Sequence, residues 1–306
     1  MRKVLFATTA LVALGGVSAA SADISVSASS SFNYVTSNGG AEQAEDRDVN
    51  TQVDVGISAA STLDNGMSVT AMIGIDEANG ALDDSGMTIT GDFGTIAMGG
   101  SASDTLGAMS TDVTADEGWD LATAYIDPAN KHVPHMDVSV ALPSISGLNV
   151  IVGMVDGDTV GANEGDGDGS GFGLSYSTTG SMPVTLSYAS YSTGAANSEV
   201  SSIGVSVTAG DATVKAAANE TGDYTGTSVG ATYAVSDQLS VAAYTGTGED
   251  STNANYEAEM TGMGLTYTIT PGLSMSITHN DFTGKGDTTA GTQSGSRTAL
   301  AIDVSF

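Results

Sequence analysis

Cysteine is absent from the 306 residues, which removes disulfides and thiolate metal sites together. Lys and Arg total 7 against 36 Asp and Glu, a formal charge of −29. A chain this acidic has no basic face to offer phosphates, so nucleic acid is excluded as a partner. Capture of anionic lipid by a polybasic patch is excluded for the same reason. Charged residues make up only 14%, where an ordinary soluble domain carries roughly 25%. Yet hydrophobic residues make up 40%, too many for a charged disordered chain.

What is present begins with a leader. Arg2 and Lys3 precede an apolar, small-residue run over 4–17, and Ala20-Ser21-Ala22 forms an A-x-A cleavage site before Asp23. The run falls short of the ~20 residues that a spanning helix needs. It predicts a secretory signal peptide over 1–22, cut after Ala22, and one β domain over 23–306. Cleavage removes two basic residues and no acid. Against 36 acids the mature chain keeps only Arg47, Lys131, Lys215, Lys285 and Arg297 as bases.

Beyond the leader the hydrophobic period is two. In the last segment Leu300, Ile302, Val304 and Phe306 alternate with Ala299, Ala301, Asp303 and Ser305. The same alternation sets Met263, Leu265, Tyr267 and Ile269 against glycine and threonine, and Met136, Val138, Val140 and Leu142 against Asp137, Ser139 and Ala141. Each is a strand with two unlike faces. Sixteen such segments are predicted, with cores near 24–36, 49–61, 67–76, 86–91, 94–100, 135–142, 148–155, 171–178, 182–192, 199–208, 212–219, 225–235, 239–247, 255–269, 273–282 and 295–306. No amphipathic helix competes with them, because glycine and β-branched residues are spread throughout.

The connections alternate short with long. Asp64-Asn65-Gly66, Gly210-Asp211 and Pro271-Gly272 are tight-turn chemistry. Residues 37–48, 77–85, 156–170 and 283–296 are acidic and rich in Gly, Ser or Asn. One strand face is apolar; the other is mostly Ser, Thr, Gly and Ala with acids. A soluble sandwich buries apolar faces against each other, whereas an outer-membrane barrel turns them to lipid and its polar faces to water. Tyr34, Phe172, Tyr176, Tyr188, Tyr233, Tyr267 and Phe306 sit on the apolar parity near strand ends, as aromatic girdles require. The fold class is therefore all-β: an antiparallel transmembrane barrel of 16 strands with short periplasmic turns and long external loops.

At Ile24-Ser25-Val26-Ser27-Ala28-Ser29, at Gly94-Thr95-Ile96-Ala97-Met98-Gly99-Gly100 followed by Ala102-Ser103-Asp104, and at the closing run from Ala299 to Phe306, the chain resembles a general porin of the Gram-negative outer membrane, of the alphaproteobacterial 16-stranded type. The resemblance implies a homotrimer that passes small hydrophilic solutes by diffusion. It also implies contact with outer-membrane lipids and lipopolysaccharide. Phe306 becomes the signal read by the barrel-assembly machinery, and the third external loop folds into the pore. The chain departs from the family in lacking an arginine ladder on the pore wall: by parity only Lys215 and Arg297 face the lumen.

The longest connection, 100–135, carries Asp104, Asp112, Asp116, Glu117, Asp120 and Asp127 and the one tryptophan, Trp119. Folded inward, its carboxylates ring a constriction that selects cations, and Trp119 anchors the loop on the wall. Asp156, Asp158, Asp166 and Asp168, interleaved with glycine, are a weak Ca²⁺ candidate, since they lack the distant bidentate glutamate of an EF-hand. No other cofactor is expected. Three histidines and scattered serines make no catalytic constellation, so no enzyme is expected. The alternative to a channel is a non-transporting surface or adhesive β protein.

Overall fold

A computed structural model describes residues 23–38, 46–76, 82–102, 113, 136–155, 169–192, 199–222, 224–250, 257–287 and 291–306. They form sixteen strands: β1 (Asp23–Asn38), β2 (Asp46–Thr62), β3 (Ser68–Asp76), β4 (Leu82–Gly91), β5 (Gly94–Gly99), β6 (Val138–Ala141), β7 (Leu148–Val155), β8 (Gly169–Ser177), β9 (Val184–Ser192), β10 (Val200–Ala209), β11 (Ala212–Thr221), β12 (Tyr224–Ala234), β13 (Leu239–Asp250), β14 (Glu257–Thr270), β15 (Leu273–Asp287) and β16 (Gly291–Ser305). Neighbours in sequence pair antiparallel, and β1 closes on β16. Closure leaves no unpaired edge, which is the condition for strands to stand in hydrocarbon.

Register sorts the faces. Tyr34 stands opposite Leu300, Leu300 opposite Ile277, Ile277 opposite Leu265, Leu265 opposite Val241, and Val241 opposite Tyr233. Directly opposed residues share a face, so this is one apolar row running round the outside. Ile277, Val241 and Tyr233 are exposed along it. Phe172 and Tyr188 meet on the same outer face with ring centroids 6.4 Å apart and planes tilted by 52°. Tyr176, Tyr233, Tyr267 and Phe306 crowd the short-turn end, each exposed. That end also holds both ends of the barrel chain: Asp23 pairs with Ala60, next to the first short turn, and Ser29 pairs with Ser305. In that turn Gly66 has φ 82°, and the Asn65 side chain accepts the Met67 N–H at 3.1 Å.

Two expectations are corrected. Strands β2, β4, β13, β15 and β16 run several residues further toward the loop side than the hydrophobic alternation does. The ladder needs only backbone groups, so it continues where lipid no longer demands apolar side chains. Met136, read as lipid-facing, instead lies fully buried with Ala97, Ala102 and Ile151. Regular strand starts only at Val138. Asp137 donates its N–H to Met154 O and accepts from Gly99 N, both at 3.0 Å, and one residue earlier the side chain turns into the barrel.

Candidate pore and its inner wall

The inner face is the second parity. One of its rows runs Lys215, Gly230, Tyr244, Gly262, Asn280, Arg297 and Ser37, each directly opposite the next. The end of the Tyr244 ring and its hydroxyl occupy the space that Gly262 leaves open. The hydroxyl donates to Asn280 Oδ1, and both residues are buried.

The connection between β5 and β6 enters the barrel. Ala102 just after β5 and Met136 just before β6 pack with Ala97, Ile151, Tyr191 and Val200 on the inner wall of β5 to β10. Between them in sequence, Val113 packs with Ala217, Tyr244, Ala258, Met260 and Phe282. Those residues belong to β11, β13, β14 and β15, on the far side of a sixteen-strand ring from β5. The covering is tight because the wall beneath is small: a Cβ on Gly230 would meet Val113 Cγ1 and Val113 O at 2.9 Å. Glycines line this inner face of β8, β10, β12 and β13, at 171, 173, 204, 226, 230, 246 and 248, all buried.

The remaining arc is uncovered. On β16 and on β1 to β4 no inner-face residue whose side chain is described is buried. Ser29, Ser31, Asn33, Gln52 and Ser305 furnish hydroxyls and amides there. Gln52 Nε2 donates to both oxygens of Asp54, at 3.1 and 3.3 Å.

A family model for the Gram-negative porin matches residues 7–287. The chain belongs to the Gram-negative porin family. It is an outer-membrane protein of the channel-forming kind. No individual curated protein sequence matches significantly. Among solved structures, the anion-selective porin from Comamonas acidovorans superposes with a TM-score of 0.70 at 15% identity, over 93% of this chain and 100% of that one. A multiply substituted Rh. blastica porin gives 0.65 at 15%, with 93% and 100% covered. The outer-membrane OmpT of Vibrio cholerae gives 0.65 at 12%, with 95% and 99% covered. At such identities the likeness is one of fold.

The porin's sequence-predicted site residues divide. Asp104, Asp112, Asp116, Glu117, Asp120, Asp127 and Trp119 lie outside the described residues, as do Asp156, Asp158, Asp166 and Asp168 and the leader 1–22. Lys215 stands opposite Ser206 and Gly230, and Arg297 opposite Asn280 and Ser37. That is the parity of buried Ala217 and Asn280, the inner face. Phe306 is exposed at the seam and donates its N–H to Ala28 O at 2.8 Å. Among the described residues no group of three or more His, Asp or Glu is gathered to hold a metal ion. His279 sits on the outer face, Nδ1 at 2.8 Å from Thr298 Oγ1 and Nε2 at 3.6 Å from Asp281.

Sequence reading missed the apolar patches of the porin's inner wall: Ile151, Tyr191, Tyr244, Met260 and Phe282. A signal existed. Each is a bulky residue on the small-residue parity of its strand, and Tyr244 shares that parity with Gly246 and Gly248.

Proposed function

We propose that the chain forms a water-filled, cation-preferring channel for passive diffusion of small hydrophilic solutes and ions. The observation that carries the cation preference is the charge count. Against 36 acidic residues the mature chain keeps five basic ones, and among the described residues Lys215 and Arg297 are the two that stand on the inner face by register. Fixed carboxylates in a narrow aqueous passage concentrate cations and repel anions. The anion selectivity of the Comamonas porin is that protein's own and is not transferred at 15% identity.

The working unit is a homotrimer held in lipid and lipopolysaccharide, delivered by the barrel-assembly machinery after loss of residues 1–22. The chain has no catalytic role and needs no cofactor. Refolded mature protein is tested in planar bilayers. Discrete conductance steps with a reversal potential of cation sign in a dilute potassium chloride gradient support the proposal. Anion sign overturns the preference, and complete absence of conductance favours the non-transporting surface protein.

A further inference from the structure

We infer that the water path is eccentric, running along the inner wall of β16 and β1 to β4, and that Asp54 and Asp303 on this wall set its ion preference. The inference rests on the channel reading and names residues that composition alone does not.

Burial is the first ground. From Ala97 on β5 round to Phe282 on β15, each strand carries buried inner-face residues, among them Ser139, Ser202, Ala217, Ser228, Met260 and Asn280. On β16 and on β1 to β4 none of the described inner side chains is buried. Water therefore has one arc of wall to wet.

The second ground is which charges stand on that arc. Its inner-face charges whose side chains are described are Asp23, Asp48, Asp54, Asp303 and Arg297. Asp23 and Asp48 sit near the two ends of the paired β1–β2 segment. Asp303 stands opposite Ser31, which stands opposite Gln52, and Asp54 is the next inner residue along β2. Two strand spacings separate β16 from β2, about 10 Å, comparable with the Debye length of about 10 Å at 0.1 M salt. Across that span the two carboxylates act as one field, and Gln52 holds Asp54 against the wall. Arg297 is six residues along β16 from Asp303, about 20 Å, and diagonal to the pair rather than facing it. A solute on this path thus passes two carboxylates on the wall.

The absence of cysteine makes the path directly readable. Ser29→Cys places a thiol on the open arc, opposite Asp54; Ser228→Cys places one on the covered arc. A sulfonated methanethiosulfonate added to conducting channels is expected to reduce current in the first variant and leave the second unchanged. Fast block at 228 with none at 29 overturns the path. Separately, Asp54→Asn with Asp303→Asn is expected to roughly halve the cation-to-anion permeability ratio at 0.01 to 0.1 M salt, where screening is weak, and Asp54→Glu with Asp303→Glu to preserve it. An unchanged ratio in the asparagine pair overturns the assignment of the two carboxylates even where Ser29→Cys reacts. Should that pair fail to refold, each single asparagine variant is read against the same criterion. Loss of conductance in the unsubstituted protein instead removes the channel reading itself.

Discussion

Val113 rests on Gly230. The first belongs to the connection after β5, the second to β12, seven strands on in the ring, and a Cβ on Gly230 would come within 2.9 Å of both the Val113 side chain and its carbonyl oxygen. A loop that leaves one wall is seated on the opposite one, and a missing side chain makes the seat.

Gly230→Leu should therefore lift the connection from β11–β15. The expected cost is about 1–3 kcal/mol, the usual range for overpacking a tight contact. Single-channel conductance should fall as the displaced connection is pushed from its wall toward the open arc, with Gly230→Ala in between. A urea titration in lipid vesicles with conductance recorded on the same preparation checks both. Wild-type values for Gly230→Leu in both readouts would remove Val113 from its role as the seated residue.

On the outer face, Ile302 stands opposite Phe32 and Met275, whereas the adjacent Ala301 stands opposite Asn33 and Ser276. Ile302→Arg should destabilise by about 2–4 kcal/mol if its site lies near the bilayer midplane, and less toward the interface. Ala301→Arg, turned to water, should be tolerated far better. Equal shifts of the unfolding midpoint at the two positions would contradict the parity.

How much of this was legible in the sequence follows from what each face must satisfy. Lipid imposes one rule on every outward position, so Leu300, Ile277, Leu265 and Val241 announce themselves by alternation, and strand number and order come with them. The inner wall obeys no single rule. Part of it meets water and takes Ser29, Ser31 and Asp54, while part meets the folded-in chain and takes Tyr244, Met260 and Phe282. Local sequence cannot say which, because the partner is over a hundred residues away. Met136 fails for a related reason: its parity is right for a strand that has not yet begun. The strand extensions on β15 and β16 were hidden because, past the lipid boundary, backbone pairing continues with any polar side chain.

Phe306 lies on the outer parity and is exposed, tied to β1 by two backbone hydrogen bonds with Ala28, at 2.8 and 3.4 Å. So few contacts contribute little to the folded barrel. Deleting Phe306 should leave the unfolding midpoint of refolded protein within about 0.5 kcal/mol of the parent, the usual range for a surface change, yet lower the amount of barrel inserted in cells. Pulse-labelled outer-membrane fractions measure the second quantity. Normal insertion of the shortened chain would leave the residue without its assembly role.

The connection over 100–135 and the one over 156–168 are both acidic, so they offer a comparison in which charge is matched and position is not. Val113, Ala102 and Met136 place points of the first inside the barrel. Neutralising Asp112, Asp116, Glu117 and Asp120 to the amides should then lower cation preference more than neutralising Asp156, Asp158, Asp166 and Asp168. The difference should be largest at 0.01 M salt, where the Debye length is about 30 Å, and nearly vanish at 1 M, where it is about 3 Å. Reversal potentials across that salt series measure it. A shared loss in both quadruple variants would mean that the field is set by the acidity of the whole mouth, and the 100–135 segment would then lose its place as the selective constriction. A loss confined to the 112–120 set that persists at 1 M would point instead to short-range contact with the permeating ion, because only charges within about 3 Å escape screening there.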